Sequence, residues 1–248
     1  MLHLIDKMHS QVHPSWNDFL TEEVTGLLKQ IEEKLENGEG VFTPPVSRVF
    51  HFMSMDLMAV KVLLIGQDPY PQEGVATGRA FEVATLKSWD DPFRNVSLKN
   101  IIRALYNAYC DDFKKYNEIK TIMKNGLFGQ SFSVLPPDQL FKHWEQEGVL
   151  MLNTSFTCRI GYAGSHAKIW APFTRLLLSY IAEKNPSITW FLWGNHAKGI
   201  TSHLTLQKSM TSNHPMICKE GEEDFLFGKV NMFKATSHLI DWTGKNRR

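Results

Sequence analysis

Four short runs of this sequence end in polar residues of the kinds that hold or move charge. Gly66-Gln67-Asp68-Pro69-Tyr70-Pro71 offers a carboxylate, Asn153-Thr154-Ser155 an amide, and Ser212-Asn213-His214-Pro215 an imidazole; Gly194-Asn195-His196 closes the fourth run. A carboxylate and an imidazole can stabilise developing charge or carry a proton, and an amide presents one acceptor and one donor edge. Each is ordinary alone. An Asp before a Pro is commonly a turn residue, and a His after a strand is commonly a satisfied structural group. Several other chemistries are absent from the chain. It has no G-x-G-x-x-G or G-x-x-x-x-G-K-[ST] loop, no H-E-x-x-H, and no G-x-S-x-G elbow. The H-x-E with P-C-x-x-C of zinc deaminases is missing. Asp68 has an imidazole as its evident partner, whereas enzymes that cut sugar–sugar bonds pair two carboxylates.

Each polar group follows a short apolar run that reads as a buried strand: Lys61 to Ile65, Val149 to Leu152, Ile188 to Trp193, and Leu206 to Thr211. Amphipathic stretches lie between them at Leu98 to Tyr109, Pro172 to Glu183 and His196 to Thr205, and a further helix is predicted over Thr21 to Leu35. Strands alternating with helices predict a single α/β domain over 1–248, with a central four-stranded, mainly parallel sheet flanked by helices. In such sheets ligands sit beyond the carboxyl ends of the strands, where Asp68, Asn153 and His214 stand. The segment Asp111 to Gln139 is Lys-rich and then turn-rich, with Gly126, Gly129, Pro136 and Pro137. It reads as an inserted, largely surface excursion.

Composition narrows the class. With 27 Lys+Arg against 26 Asp+Glu the net charge is +1, which excludes a polycationic nucleic-acid coat and leaves a local basic groove open. The three cysteines, Cys110, Cys158 and Cys218, are far apart and form no C-x-x-C, so neither a disulfide framework nor a zinc knuckle is expected. The first residues, Met1 to Lys7, interrupt their apolar run with charge, and no run approaches the ~20 apolar residues of a membrane span. The expected setting is a soluble protein of the cytoplasm, or of the nucleus in a eukaryotic or viral host.

The motifs together resemble the uracil-DNA glycosylase family, in the type common to bacteria, nuclei and herpesviruses. Lys61 to Tyr70 resembles its first motif, Gly78-Arg79-Ala80-Phe81-Glu82-Val83 continues it, and Trp144 to Thr157 resembles the uracil-reading strand. Ala163-Gly164-Ser165-His166 resembles the phosphate loop, and Phe191-Leu192-Trp193-Gly194 with His214-Pro215 the last two motifs; His13-Pro14-Ser15-Trp16 resembles the usual start. The resemblance implies a hydrolase that flips uracil out of DNA, cuts its N-glycosidic bond and leaves an abasic site, as in base excision repair. It implies Asp68 and His214 as catalytic residues and Gln67, Tyr70, Phe81 and Asn153 as the uracil pocket. Ser97, Gly164, Ser165, His166, Pro215 and Met216 would contact DNA. No metal or organic cofactor is implied. The implied partner is uracil-containing DNA, with a glycosylase inhibitor protein as a second, and the implied state is a monomer.

Three departures stand out. Asn95-Val96-Ser97 replaces the family's Pro-Pro-Ser, and Pro71 stands where His is common. After His214-Pro215 comes Met216-Ile217-Cys218 instead of Ser-Pro-Leu, so Met216 or Ile217 would be the wedge into the duplex. The acidic run Glu220 to Asp224 that follows reads as a solvated loop tip. These changes keep two alternatives open: a base range widened to 5-substituted uracils, and a DNA-binding replication accessory. Contacts made by backbone N–H groups from small residues would make the salt dependence of binding shallow.

Overall fold

A strand buried at every position must be covered on both faces; three such strands and one more polar edge strand form the centre of this domain. The computed structural model describes residues 2–38, 40–125, 132–219 and 221–245. In chain order its elements are α1 (Leu4–His9), α2 (Glu22–Glu36), β1 (Phe42–Thr43), α3 (Val46–Val49), β2 (Val62–Gly66), α4 (Val96–Cys110), α5 (Tyr116–Asn125), α6 (Pro137–Gln146), β3 (Val149–Asn153), β4 (Cys158–Arg159), α7 (Ala167–Lys184), β5 (Thr189–Trp193), α8 (Gly194–Ile200), β6 (Lys208–Ser212) and α9 (Met232–Ala235). The main sheet runs β3-β2-β5-β6 with every pairing parallel, and β1 and β4 form a small antiparallel pair. The predicted parallel α/β sheet is therefore the observed one.

Alternation along the strands sends side chains to two cores. Val62, Leu64, Val149, Met151, Phe191 and Trp193 face one, with residues of α4, α6 and α9. Leu63, Ile65, Leu150, Leu152, Trp190 and Leu192 face the other, with residues of α2 and α7. The α2 helix forms where the periodicity placed it. Thr21 caps it, its hydroxyl accepting the Val24 N–H at 3.3 Å, and Val24, Leu28, Ile31 and Leu35 are its buried stripe.

Two helix boundaries differ from the sequence reading. The Pro172 signal suggested a helix start, but α7 begins five residues earlier and carries Pro172 inside it. Pro172 is the sixth residue of α7, past the first four N–H groups that lack an intrahelical partner, so the helix forfeits one hydrogen bond, to the Lys168 carbonyl, and continues. The helix expected from His196 to Thr205 ends at Ile200.

The excursion after α4 is only partly a surface feature. Tyr116, Ile119, Phe132 and Val134 are buried in the first core, and the Tyr116 hydroxyl donates to Trp89 O at 3.0 Å. Tyr116 and Ile119 share one face of α5 at a spacing of three; half-buried Lys120 beside them reaches the Asp90 carbonyl at 3.3 Å, and Lys124 is exposed. The sequence impression of a surface loop came from that lysine content. Gly126 and Gly129 lie outside the described residues.

If α5 is an integral part of the core, Ile119→Ala should lower unfolding free energy by about 2–5 kcal/mol. Urea denaturation of the whole chain measures this. A loss within about 0.5 kcal/mol, as for a surface position, would return the segment to the surface.

Candidate active site

Chain order creates a switch point at β2. The chain leaves β2 to form β3 on one side and later returns to form β5 on the other. The crevice beyond the carboxyl end of β2 is where such sheets bind ligands, and Asp68 stands two residues past that end. The register pairs Gly66 with Asn153 and Trp193 with Ser212, so the polar residues that follow emerge at one edge. They line a pocket of about 310 Å³ that includes Gln67, Asp68, Tyr70, Phe81, Ser97, Asn153, His214 and Met216. A larger open groove of about 920 Å³, walled by Leu35, Val41, Phe42 and Ile160, has Glu36 and Glu73 as its titratable groups among the described residues. Size alone would have selected the wrong one.

Two glycines make the convergence possible. A Cβ at Gly66 would stand 2.3 Å from Asn153 Oδ1 and 2.8 Å from the Ala80 Cβ. Gly194 has φ +82°, and a Cβ there would meet the His214 Cβ at 2.8 Å. Only glycine lets the Asn153 amide and the His214 ring approach so closely.

The Gln67–Asp68 segment is fastened to the end of β3. Thr154 N–H donates to Gly66 O at 3.1 Å, Ser155 N–H to Gln67 O at 2.9 Å, and the Thr154 hydroxyl to Gln67 O at 3.1 Å. With that hydroxyl donating, His196 Nε2 donates to it at 2.7 Å. Asp68 Oδ1 is buried and has no hydrogen-bond partner among the described residues. Burial pushes the Asp68 carboxyl above its ordinary range, opposed by nearby His196 and by the Gly164 N–H. His214 is pushed down, first by burial and then by His196. Its Nδ1 accepts the Met216 N–H at 3.1 Å, so the proton of the neutral ring sits on Nε2. Tyr70 hydrogen-bonds the Asn95 side chain, while burial raises its phenol.

Phe81 is the strained residue of the pocket. Its φ is +67°, unusual for a bulky side chain and costing about 1–3 kcal/mol. Its ring lies 5.2 Å from Trp193 and 6.4 Å from His214. A buried ionic network brackets it. Arg79 bonds Glu82 at 3.0 Å and also Glu145, which His51 joins at 2.9 Å. Burial would raise Glu145, but hydrogen bonds from His51 and Arg79 push it down to about 2.

Of the residues expected to meet DNA, Ser97 and Met216 line the pocket, and Met216 and Ile217 are exposed. The other loop is arranged differently. The Gly164 N–H is directed to Asp68, the Ser165 hydroxyl accepts the Arg159 N–H at 2.8 Å, and the His166 ring bonds the Thr157 hydroxyl at 2.9 Å. Those three residues support Asp68 and their own loop, and none lines the pocket. The Pro215 carbonyl is taken by Asn100 Nδ2 at 2.7 Å. The acidic run is neutralised internally: Glu222 pairs with Lys229 at 2.6 Å and Glu223 with Lys198 at 3.1 Å. Asp224 is buried and accepts the N–H groups of Lys219, Leu226 and Phe227. Glu220 lies outside the described residues. Sequence reasoning missed the roles of His196, Asn100, Arg79 and Glu145. His196 had a signal, its place after β5, whereas Glu145 lies 66 residues from Arg79 and had none.

A sequence profile of the Uracil DNA glycosylase superfamily matches residues 52–238. A uracil-DNA glycosylase of Fusobacterium nucleatum is 30% identical over 255 residues, covering 96% of this chain and 99% of its own. One from varicella-zoster virus is 30% identical over 245 residues, covering 94% and 71%. Among solved structures, the UNG of Nitratifractor salsuginis superposes with a TM-score of 0.65 at 24% identity, covering 87% of this chain and 88% of that one. A mimivirus UNG variant in complex with UGI gives 0.67 at 23%, covering 93% and 86%. At these identities the structural likeness speaks for the fold.

The Glu145 network predicts an acid limit to stability. Its carboxyl lies lower in the folded chain than the ordinary 4.5, so its contribution is complete above that value and lost as pH falls toward about 2. Glu145→Gln should cost about 1.5–3 kcal/mol at neutral pH and flatten that acid limb. Chemical denaturation at several pH values tests this; an unchanged limb would remove Glu145 as its source.

Proposed function

This chain belongs to the uracil DNA glycosylase superfamily, and from that premise we propose how its pocket excises uracil from DNA. The observation that carries the reading is the pairing of a buried Asp68 oxygen, unpartnered among the described residues, with a neutral His214 whose proton is on Nε2. The bond to be cut joins N1 of uracil to C1′ of deoxyribose. As it breaks, positive charge builds on the sugar and negative charge on the base. A site that stabilises both charges together lowers the barrier.

Asp68 supplies the negative group beneath the sugar. Its carboxylate faces the oxocarbenium-like carbon and orients the water whose oxygen bonds to C1′. The water's proton passes to the carboxylate, which later gives it up to solvent, and the released uracil anion takes a proton at N1 from solvent, so the net consumption is one water. His214 donates Nε2–H to uracil O2, where the leaving charge collects. A neutral imidazole does this without first surrendering a proton.

Recognition rests on Asn153. Its carbonyl accepts uracil N3–H and its NH₂ donates to O4, a pattern that cytosine reverses. Buried polar groups left unpaired reject the wrong base strongly. Thymine differs by one methyl, which a missing contact would discriminate by only ~1–3 kcal/mol, so Tyr70 acts as a wall at C5. Phe81 stacks on the flipped base, which leaves the helix at a cost of about a few kcal/mol. Met216 and Ile217 are the exposed apolar residues beside the pocket mouth and fill the place the base leaves. The chain acts as a monomer in this scheme, and UGI is proposed as a partner through the same mouth.

Asp68→Asn and His214→Ala should each slow single-turnover uracil release by about 10²–10³ or more, and parental rates in either would sink the assignment. Asp68→Asn should melt no lower than the parent, because it removes a buried charge whose folded-state pKa is raised. Two groups shape the acid limb of release, His214 on gaining a proton and Asp68 on losing its charge, and the Asp68 step should lie above the ordinary carboxyl value of 3.8 for the same reason. Asn153→Asp should shift the preference from uracil toward cytosine. A panel of uracil, cytosine, thymine and 5-hydroxymethyluracil in single- and double-stranded DNA measures this, and parental selectivity would remove Asn153 as the reader.

A further inference from the structure

We propose that Asn100, in α4, is a positioning residue that sets the tautomer of His214 through the Pro215–Met216 peptide group. This rests on the assignment of His214 as the donor to uracil O2. The Asn100 side chain is 6% exposed, and its Nδ2 donates to the Pro215 carbonyl at 2.7 Å. A trans peptide is planar, with its C=O and N–H pointing opposite ways. Holding the Pro215 carbonyl toward α4 therefore aims the Met216 N–H the other way, where it meets His214 Nδ1 at 3.1 Å. That N–H excludes a proton from Nδ1 and leaves it on Nε2.

The amide has one workable orientation. Asn100 Oδ1 accepts Arg103 Nη1 at 2.9 Å, so a flipped amide would set its NH₂ against the guanidinium and its oxygen against the Pro215 carbonyl. Arg103 is held in turn. Its Nε donates to Lys114 O at 2.9 Å, and its guanidinium lies 5.8 Å from the Phe227 ring centre.

The remaining bonds of the turn are local. The Cys218 thiol makes a longer contact of 3.6 Å to the same Pro215 carbonyl, Asn213 N–H donates to Glu223 O at 2.7 Å, Ile217 N–H to His214 O at 2.9 Å, and Lys219 N–H to Asp224 Oδ2 at 2.7 Å. They give the 213–219 turn its shape. Asn100 ties that shape to the domain. Ser97, Asn100 and Arg103 recur every three residues on one face of α4, and Ser97 lines the pocket. One helix face thus links the DNA-facing start of α4 to the imidazole and then to the segment leading into α5.

The test uses the whole chain with ¹⁵N-labelled histidine, in the parent, Asn100→Ala and Arg103→Met. The second variant loosens the amide from a half-exposed position and spares the buried one. The expected NMR signature of the parent is an unprotonated Nδ1 and a protonated Nε2 on His214. Both variants should show a tautomer mixture, an upward shift of the His214 titration, and a matching upward shift of the acid limb of uracil release. Asn100→Ala should slow single-turnover release by about 10²-fold, the cost of a small misplacement, with a smaller effect in Arg103→Met. Folded variants with parental tautomer and pH profile overturn the inference, even if their rates fall. A His214→Ala control separates the two claims: a parental release rate there removes the donor role itself, whatever Asn100 does.

Discussion

Two parallel strands must end at the same height with nothing between them: Gly66 beside Asn153. The site depends on that missing side chain. A Cβ at Gly66 would overlap both the Asn153 amide and the Ala80 methyl, and either collision would turn the amide or lift the Gln67–Asp68 segment. With glycine in place, Thr154 and Ser155 can bond back to Gly66 and Gln67. The carboxylate is thereby aligned on the strand that supplies the amide. Gly194 does the same for His214 from the other side of β2.

The pocket is held in states that the chain would otherwise avoid. Asp68 is half-buried, with its Oδ1 buried and unpartnered among the described residues, and Phe81 has a left-handed backbone. Both oppose folding, and both are useful for chemistry: the first leaves a charge ready for an electron-poor carbon, the second turns a flat ring toward the base. The surrounding structure over-determines them. The Arg79–Glu82–Glu145–His51 network closes around Phe81, and Thr154, His196 and Gly164 surround Asp68.

A net charge of +1 is compatible with a DNA enzyme when its contacts are few and placed. The acidic residues after His214 had looked hostile to phosphate. Two of them pair with Lys229 and Lys198, and Asp224 is turned inward as a cap for the loop that carries Phe227. Met216 and Ile217 remain exposed and apolar at the mouth. The Gly164–Ser165–His166 loop is drawn toward Asp68, so its contribution is internal support as much as any DNA contact.

Local pattern and motif order were enough to determine the parallel α/β sheet, two of its helices to within two residues and two more in place but not in extent, and the residues Asp68, Asn153 and His214 as a convergent set. That is because strand period, turn residues and the strand-end rule act over short distances along the chain. The sequence also carried Tyr70 and Phe81 through the family resemblance. What it did not contain was anything joining residues far apart without a shared motif: Glu145 to Arg79, Asn100 to Pro215, Ile119 to the core. Those pairings depend on how helices cross the sheet, which no local pattern encodes. The ionisation of Asp68 and the tautomer of His214 belong to the same category. They are set by burial and by single hydrogen bonds, and these exist only once the strands have brought their ends together.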